Sequence, residues 1–272
     1  LTGGNDTERL EDKLTNNPQI LIGTPEKIVK LGIEKGLVNF QFVNTLVIDE
    51  ADMSLEMGFL NEVDKIASLI NKKAQFMMFS ATIPNGLKQF IKKYFSNPLI
   101  IEDTKGNNNS NIEHILYPIR GRNEKELLLK IIRNINPYVC LIFLNTKQEV
   151  NSYYEYLINN DVDCEMIHGD LMARERKRNI KKTLSGKFRF IVCSDIASRG
   201  IDIDGVSHVI SIGFPKTDLS FYTHRAGRCG RNNYKGQSIT LYSPKDNNAI
   251  MALEQQGIKF VVKEIKNDTW KE

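Results

Sequence analysis

Two groups of residues have the types and spacing to act on a phosphate ester. In the first, Leu46-Val47-Ile48-Asp49-Glu50-Ala51-Asp52, an apolar run ends in closely spaced carboxylates. Open parallel sheets take their ligands beyond the carboxyl ends of the strands, so a run of this kind sets acids where a nucleotide would lie. One carboxylate there can hold a magnesium ion through its water shell while its neighbour orients or deprotonates an attacking water. The pattern has an equally good structural explanation, because acids favour helix N-termini.

The second group is Tyr222-Thr223-His224-Arg225-Ala226-Gly227-Arg228-Cys229-Gly230-Arg231. Arginines recur every third position and alternate with glycines, so the backbone can approach an anion while rigid guanidinium forks reach it. A structural ion-pair network has no need of those glycines. A supporting run, Ser194-Asp195-Ile196-Ala197-Ser198-Arg199-Gly200-Ile201-Asp202-Ile203, also follows an apolar stretch. Asp202 is suited to accept from a ribose hydroxyl and Arg199 to bridge to the acidic group. A turn with a helix cap would use the same residue types equally well.

The elements that must position these groups alternate short apolar runs with longer helical patterns, the signature of an α/β fold with a parallel sheet. In the first half, strands are expected over residues 19–22, 45–48 and 75–79, with helical spacing over 25–35, 61–70 and 86–95. Residues 103–111, DTKGNNNSN, contain no apolar side chain and read as a linker. Beyond it, strands are expected over 139–144, 164–168, 188–193, 206–212 and 237–242, and helices over 123–135, 148–159, 173–184 and 245–256. The expected organisation is therefore a first domain over 1–102, a linker over 103–111, a complete second domain over 112–265 and a short tail over 266–272. A doubly wound domain of this kind needs about five parallel strands, so the first is expected to be incomplete at its N-terminus.

Composition sets the class and little more. At 272 residues, 41% hydrophobic and 26% charged, the chain is that of an ordinary globular protein with room for two cores. A net charge of +4 identifies no partner. Its distribution says more, because Arg174, Arg176, Lys177, Arg178, Lys181, Lys182, Lys187 and Arg189 crowd one segment opposed by Glu175 alone. That segment suits a phosphate-facing helix, although on charge alone a solvated helix face is the better account. Cys140, Cys164, Cys193 and Cys229 lack the spacing of a zinc site and read as reduced thiols of a cytoplasmic protein. No apolar run has the length of a membrane span, and no membrane association is expected.

Taken in order, VIDEAD, Ser80-Ala81-Thr82, the FLNT segment of residues 143–146, His168-Gly169-Asp170, SDIASRGIDI and HRAGRCGR resemble the motif series of DEAD-box RNA helicases. The resemblance covers nearly the whole chain, and wording such as FSATIP and HGDLMARERKR is similar to the cold-shock members of Gram-positive bacteria. It implies RecA-like domains acting on ATP and Mg²⁺ and gripping RNA without regard to sequence. It also implies roles in cold adaptation, ribosome assembly or RNA decay, with ribosomal or RNA-decay proteins as candidate partners.

By the same resemblance Asp49 holds Mg²⁺ through water, Glu50 activates the attacking water, and Arg228 and Arg231 are arginine fingers. Gly200 and Asp202 meet the nucleotide. Asp52, Ser80, Thr82, Arg199 and His224 link nucleotide state to closure of the domains. Gly3, Gly4, Thr24, Pro25, Lys27, Thr146, Gly169, Arg176 and Ser194 contact RNA, chiefly at phosphates and 2′-hydroxyls.

The sequence departs from the family at Ala173, where Gln is frequent, at Cys229, where Thr is common and packing is the expected role, and in two further respects. Thr24-Pro25-Glu26-Lys27 stands where TPGR is usual, so a point charge replaces a planar fork and an extra anion enters near RNA. No G-x-x-x-x-G-K-[ST] loop occurs, so no P-loop lysine is available for the β and γ phosphates. A simple N-terminal truncation of a complete helicase is the expectation that accounts for this, with the alternative that the chain as given is a non-catalytic RNA-binding piece.

Overall fold

A computed structural model describes residues 7–80, 82–101, 111–195, 203, 205–216, 219–231 and 234–265. The chain divides into two compact units, Leu1–Glu102 and Asp103–Glu272. No described helix is long and apolar enough to cross a membrane.

The first unit contains helices α1 (Thr7–Thr15), α2 (Pro25–Ile28), α3 (Ala51–Glu56), α4 (Leu60–Leu69) and α5 (Asn85–Tyr94) with strands β1 (Thr45–Ile48) and β2 (Gln75–Met78). The strands pair in parallel, with Ile48 opposite Met78, so their carboxyl ends lie side by side. In α4, Val63, Ile66 and Ala67 are buried, the i, i+3, i+4 stripe of a helix packed on a sheet. They meet Ile48, Ala51, Leu87 and Phe90 in one cluster and Val29, Phe40 and Ile70 in another.

The helix expected over 25–35 starts as the short α2 and continues as a π-helical turn over Val29–Glu34. Gly32 sits in that turn, where a Cβ would lie 2.9 Å from the Phe40 ring, so only glycine lets the ring close on the helix. The strand expected over 19–22 does not form. Ile20 and Ile22 are 78% and 77% exposed, and no ladder runs through them among the described residues. Three apolar residues in a row make a strand only where a neighbouring strand meets their backbone groups.

The second unit is one seven-stranded parallel sheet in the order β5-β6-β4-β7-β8-β3-β9. Its strands are β3 (Ile112–Pro118), β4 (Val139–Leu144), β5 (Cys164–Ile167), β6 (Phe190–Ser194), β7 (Val206–Ile212), β8 (Gly236–Tyr242) and β9 (Phe260–Val262). The helices are α6 (Glu124–Asn134), α7 (Lys147–Ile158), α8 (Ala173–Leu184), α9 (Ser220–Ala226) and α10 (Asn247–Gln255). All of β4 is buried. Its even residues, Cys140, Ile142 and Leu144, join Leu128, Val150 and Leu157 on one face, and its odd residues, Val139, Leu141 and Phe143, join Ile191, Val209 and Cys229 on the other. A strand covered on both faces reads as an unbroken apolar run, which is why it was legible. The linker expected over 103–111 and the tail over 266–272 lie outside the described residues, apart from Asn111, whose carbonyl accepts the Gly236 N–H at 2.7 Å.

Strand β3 escapes the apolar pattern because Glu113 and His114 interrupt it. His114 is 7% exposed and lies 2.7 Å from the Tyr222 hydroxyl, while burial holds its imidazole near a pKa of about 4. The charged imidazole is therefore favoured only in the unfolded chain, which binds the extra proton between pH 6.5 and about 4. Stability is complete above that window and falls as pH drops through it, by up to about 3 kcal/mol. Urea titrations from pH 7 to 4.5 should show this loss, and His114→Gln should flatten it; an unchanged slope in the variant would assign the acid lability to other groups.

Candidate functional site

At the end of β1 the chain turns through Glu50, whose φ of 48° and ψ of 52° place a non-glycine residue in the left-handed region. That conformation costs on the order of 1 kcal/mol and is retained where surroundings over-determine it. Here the Asp49 Oδ1 accepts the Glu50 N–H at 3.0 Å, and the Ala51 N–H donates to the Phe79 carbonyl at 3.0 Å. The turn leaves Asp49 and Glu50 exposed beyond the strand while Asp52, at 1% exposure, enters the core.

Asp52 closes a ring with the segment that follows β2. Its Oδ2 accepts the Thr82 N–H at 2.9 Å and the Thr82 hydroxyl at 3.0 Å, and its Oδ1 accepts the Met53 N–H at 3.0 Å. The Asp52 N–H donates to Ser80 Oγ at 3.0 Å, and that hydroxyl donates to the Thr82 carbonyl at 2.6 Å. Asp52, Ser80 and Thr82 are thus mutual partners within the first unit. Asp52→Ala strands the Thr82 donors and should cost about 3 kcal/mol in urea unfolding, with Asp52→Asn costing less because an acceptor remains. A loss below about 0.5 kcal/mol for the alanine variant would show the ring to be dispensable.

Also in the first unit, Thr24 precedes α2, its carbonyl accepting the Ile28 N–H at 3.1 Å, and is exposed, Pro25 occupies the first turn, and Lys27 is half-buried. Gly3 and Gly4 lie outside the described residues.

In the second unit Thr146 is the exposed N-cap of α7, and its hydroxyl accepts the Glu149 N–H at 3.1 Å. Glu149 answers by accepting the N–H groups of Asn145 and Thr146, each at 3.0 Å, a reciprocal capping box. Gly169 is exposed in the turn after β5, next to an ion pair between Lys147 and Asp170. Ser194 ends β6 at 7% exposure, so its side chain is largely enclosed. Arg176 is half-buried, and its Nε lacks a partner among the described residues.

Helix α8 divides the basic segment between a docked face and an exposed one. Asn179 donates to the Met166 carbonyl at 3.0 Å, and Lys182 pairs with the buried Glu165, which docks one face on β5. Arg174, Arg178 and Lys181 are exposed on the remaining surface.

The three arginines that look alike in sequence differ in place. Arg225 is 2% exposed and Arg228 half-buried, while Arg231 is exposed with its Nε donating to the Gly227 carbonyl at 3.0 Å. Arg228 and Arg231 line a cavity of about 770 Å³ together with Tyr138, Ile203, Tyr234 and Lys235. Cys229 between them is packing: its thiol is buried, is pushed up to about 12 by that burial, and lies 3.2 Å from the Ala226 carbonyl. His224 is half-buried in α9, its ring 6.2 Å from that of Phe221. Arg199, Gly200 and Asp202 lie outside the described residues. The sequence pattern grouped Arg225 with the anion-reaching arginines, but its guanidinium is buried against Asp195 and Asn145, two half-buried residues to which sequence reasoning assigned no task; an acid at the end of an apolar strand was the available signal.

Comparison with known proteins places this geometry. A DEAD/DEAH box helicase family model matches residues 1–90, and a helicase conserved C-terminal domain model matches residues 123–233. The chain is 42% identical over 271 residues to the DEAD-box ATP-dependent RNA helicase CshB of Staphylococcus aureus, covering 99% of this chain and 60% of that protein. The chain therefore spans about 60% of the length of the curated relatives of that name. A crystal structure of a DEAD box protein from Methanococcus jannaschii matches with 30% identity and a TM-score of 0.54, over 98% of this chain and 71% of the other. Dbp5 of Saccharomyces cerevisiae bound to RNA and ADP BeF3 matches with 26% identity and a TM-score of 0.78, over 91% of this chain and 66% of the other.

Proposed function

This chain belongs to the DEAD-box helicase family, and from that membership we propose that it carries the water-activating, arginine-finger and RNA-gripping parts of an RNA-dependent ATPase that opens short RNA duplexes or remodels RNA–protein complexes. The observation that carries the reading is the acidic turn, in which a left-handed Glu50 presents adjacent carboxylates beyond β1 while Asp52 locks the turn to Ser80 and Thr82. Such a turn holds charge rigidly at a sheet edge, where electrostatic positioning is most of what phosphoryl transfer asks of a protein.

Asp49 is exposed and keeps a hard oxygen donor beside the one engaged by Glu50, which fits a Mg²⁺ ion held through water. When bound, that ion neutralises charge on the terminal phosphates. Glu50 takes the proton of the attacking water. Arg228 and Arg231 stabilise the charge that develops on the transferred phosphoryl group, and Gly200 and Asp202 bind the nucleotide. Asp52, Ser80, Thr82, Arg199 and His224 couple nucleotide state to RNA grip.

Gly3, Gly4, Thr24, Pro25, Lys27, Thr146, Gly169, Arg176 and Ser194 form the RNA track, joined by the exposed cations of α8. Contacts of this kind favour RNA over DNA without reading its sequence. Ribosomal and RNA-decay proteins are candidate partners.

A second reading is favoured by one fact: these 272 residues contain no G-x-x-x-x-G-K-[ST] loop. As given, the chain binds RNA without turning over ATP. Fluorescence anisotropy with single-stranded RNA and DNA of the same sequence tests both readings. RNA should bind more tightly than DNA, with a steep salt dependence, and ATP hydrolysis by these residues alone should be negligible. Equal affinity for DNA and RNA would overturn the RNA assignment, and robust hydrolysis would overturn the second reading.

A further inference from the structure

We propose that Arg225 is a positioning residue whose buried guanidinium holds together the loop bearing Thr146, the loop bearing Ser194 and the helix leading to Arg228. The proposal rests on the functional reading above, because those loops are given there to RNA and to phosphate.

Arg225 lies on the last turn of α9 and is 2% exposed, so it touches no ligand itself. Its Nε and Nη2 donate to Asp195 Oδ1 and Oδ2, each at 2.6 Å. Nη2 also donates to Asn145 Oδ1 at 2.8 Å, and the guanidinium carbon stands 5.5 Å from the Phe143 ring centre. Asp195 directly follows Ser194, and Asn145 directly precedes Thr146. Leu144 and Ser194 are register partners on the paired strands β4 and β6, so the two loops leave the sheet at the same level. The guanidinium spans them there.

Each end of this clamp is tied onward. Glu149 accepts from both Asn145 and Thr146, so fixing the Asn145 side chain also fixes the cap that orients Thr146. On the helix side, the Arg228 N–H donates to the Arg225 carbonyl at 3.1 Å, which sets Arg228 one turn beyond the clamp.

Stability alone is a poor reason to keep an arginine here. Burying an ion pair costs desolvation that its attraction often fails to recover. Arg225 Nη1 is buried without a partner among the described residues, a further penalty. What the pair provides is geometry: a planar fork meets both oxygens of Asp195 and a third acceptor at once, which a lysine ammonium does not reproduce.

The test compares Arg225→Lys, which keeps the charge and loses the fork, with the parent chain. Amide hydrogen exchange at residues 145–146 and 194–195 reads the clamp directly, and anisotropy with single-stranded RNA at several salt concentrations reads its consequence. Faster exchange at both sites is expected, the end of β6 included, with the interiors of the strands unchanged and RNA affinity about tenfold lower. The salt slope is read in the uncharged double variant Asp195→Asn/Arg225→Gln and should stay that of the parent because Thr146 and Ser194 are neutral, whereas losing a cation from a phosphate lowers it by about 0.7 per contact on single strands.

Parental exchange in both loops would overturn the clamp, and a slope reduced by about 0.7 would overturn positioning in favour of direct contact. If Arg225→Lys does not fold, the double variant Asp195→Asn/Arg225→Gln, which leaves no charge buried alone, decides the matter by the same exchange readout. A parent chain that fails to bind RNA would sink the functional reading, while the exchange arm still decides the clamp.

Discussion

Glu50→Gln, in a protein that joins these residues to a phosphate loop, lowers RNA-stimulated ATP turnover by roughly 10²- to 10⁴-fold. The amide is nearly isosteric with the carboxylate and has no basic oxygen to receive the water proton. Structural cost is small, because Glu50 is exposed and its place at the start of α3 depends on backbone geometry, with Asp49 bonding its N–H and not its side chain. RNA affinity should therefore stay within about twofold and unfolding within about 0.5 kcal/mol of the parent. Steady-state hydrolysis at saturating RNA checks the prediction. Turnover within threefold of the parent would remove Glu50 from the chemistry and leave the acidic turn as a helix start.

Arg228→Ala in the same longer protein lowers turnover by roughly 10³- to 10⁵-fold, the range in which arginine fingers act. Arg228 and Arg231 line the same cavity of the second unit, but Arg228 is half-buried, so packing confines its side chain more than that of the exposed Arg231, whose Nε bonds the Gly227 carbonyl. A held donor contributes more to a transition state than one that must first be ordered. Arg231→Ala should accordingly cost less. Arg228→Lys should restore little, because a point charge does not replace a planar fork. Single-turnover hydrolysis separates this defect from nucleotide binding: equal rates in Arg228→Ala and the parent would dismiss the finger role.

These outcomes bear on how the turn and the arginine helix depend on their surroundings. Asp52 shows the dependence plainly. In sequence it is one more acid in a cluster, yet only Asp52 of that cluster is buried, because after the left-handed turn at Glu50 the chain bonds to Phe79 and Ser80 beyond the end of β2. The partners that accept and donate to it, Ser80 and Thr82, come from beyond the next strand. Arg225 repeats the lesson in the second unit. It shares a spacing with Arg228 and Arg231, and nothing local tells the three apart, since burial is decided by which strand ends the helix packs against.

By itself the sequence determined the α/β class, the half-exposed strand β1 and the largely buried strands β4, β6 and β7, most helices, and the ordered motifs that identify the family. These are encoded in short apolar runs, helical periodicity and fixed spacings, all of which act over a few residues. Only the tertiary structure decided that residues 19–22 form no strand, that β3 and β9 complete the larger sheet, and that Asp52 and Arg225 are internal braces while Glu50 and Arg231 face outward. The physical reason is distance along the chain. A ladder needs a neighbour and a buried polar group needs a partner, and those partners stand 30 positions away for Asp52 and Thr82 and 108 for His114 and Tyr222.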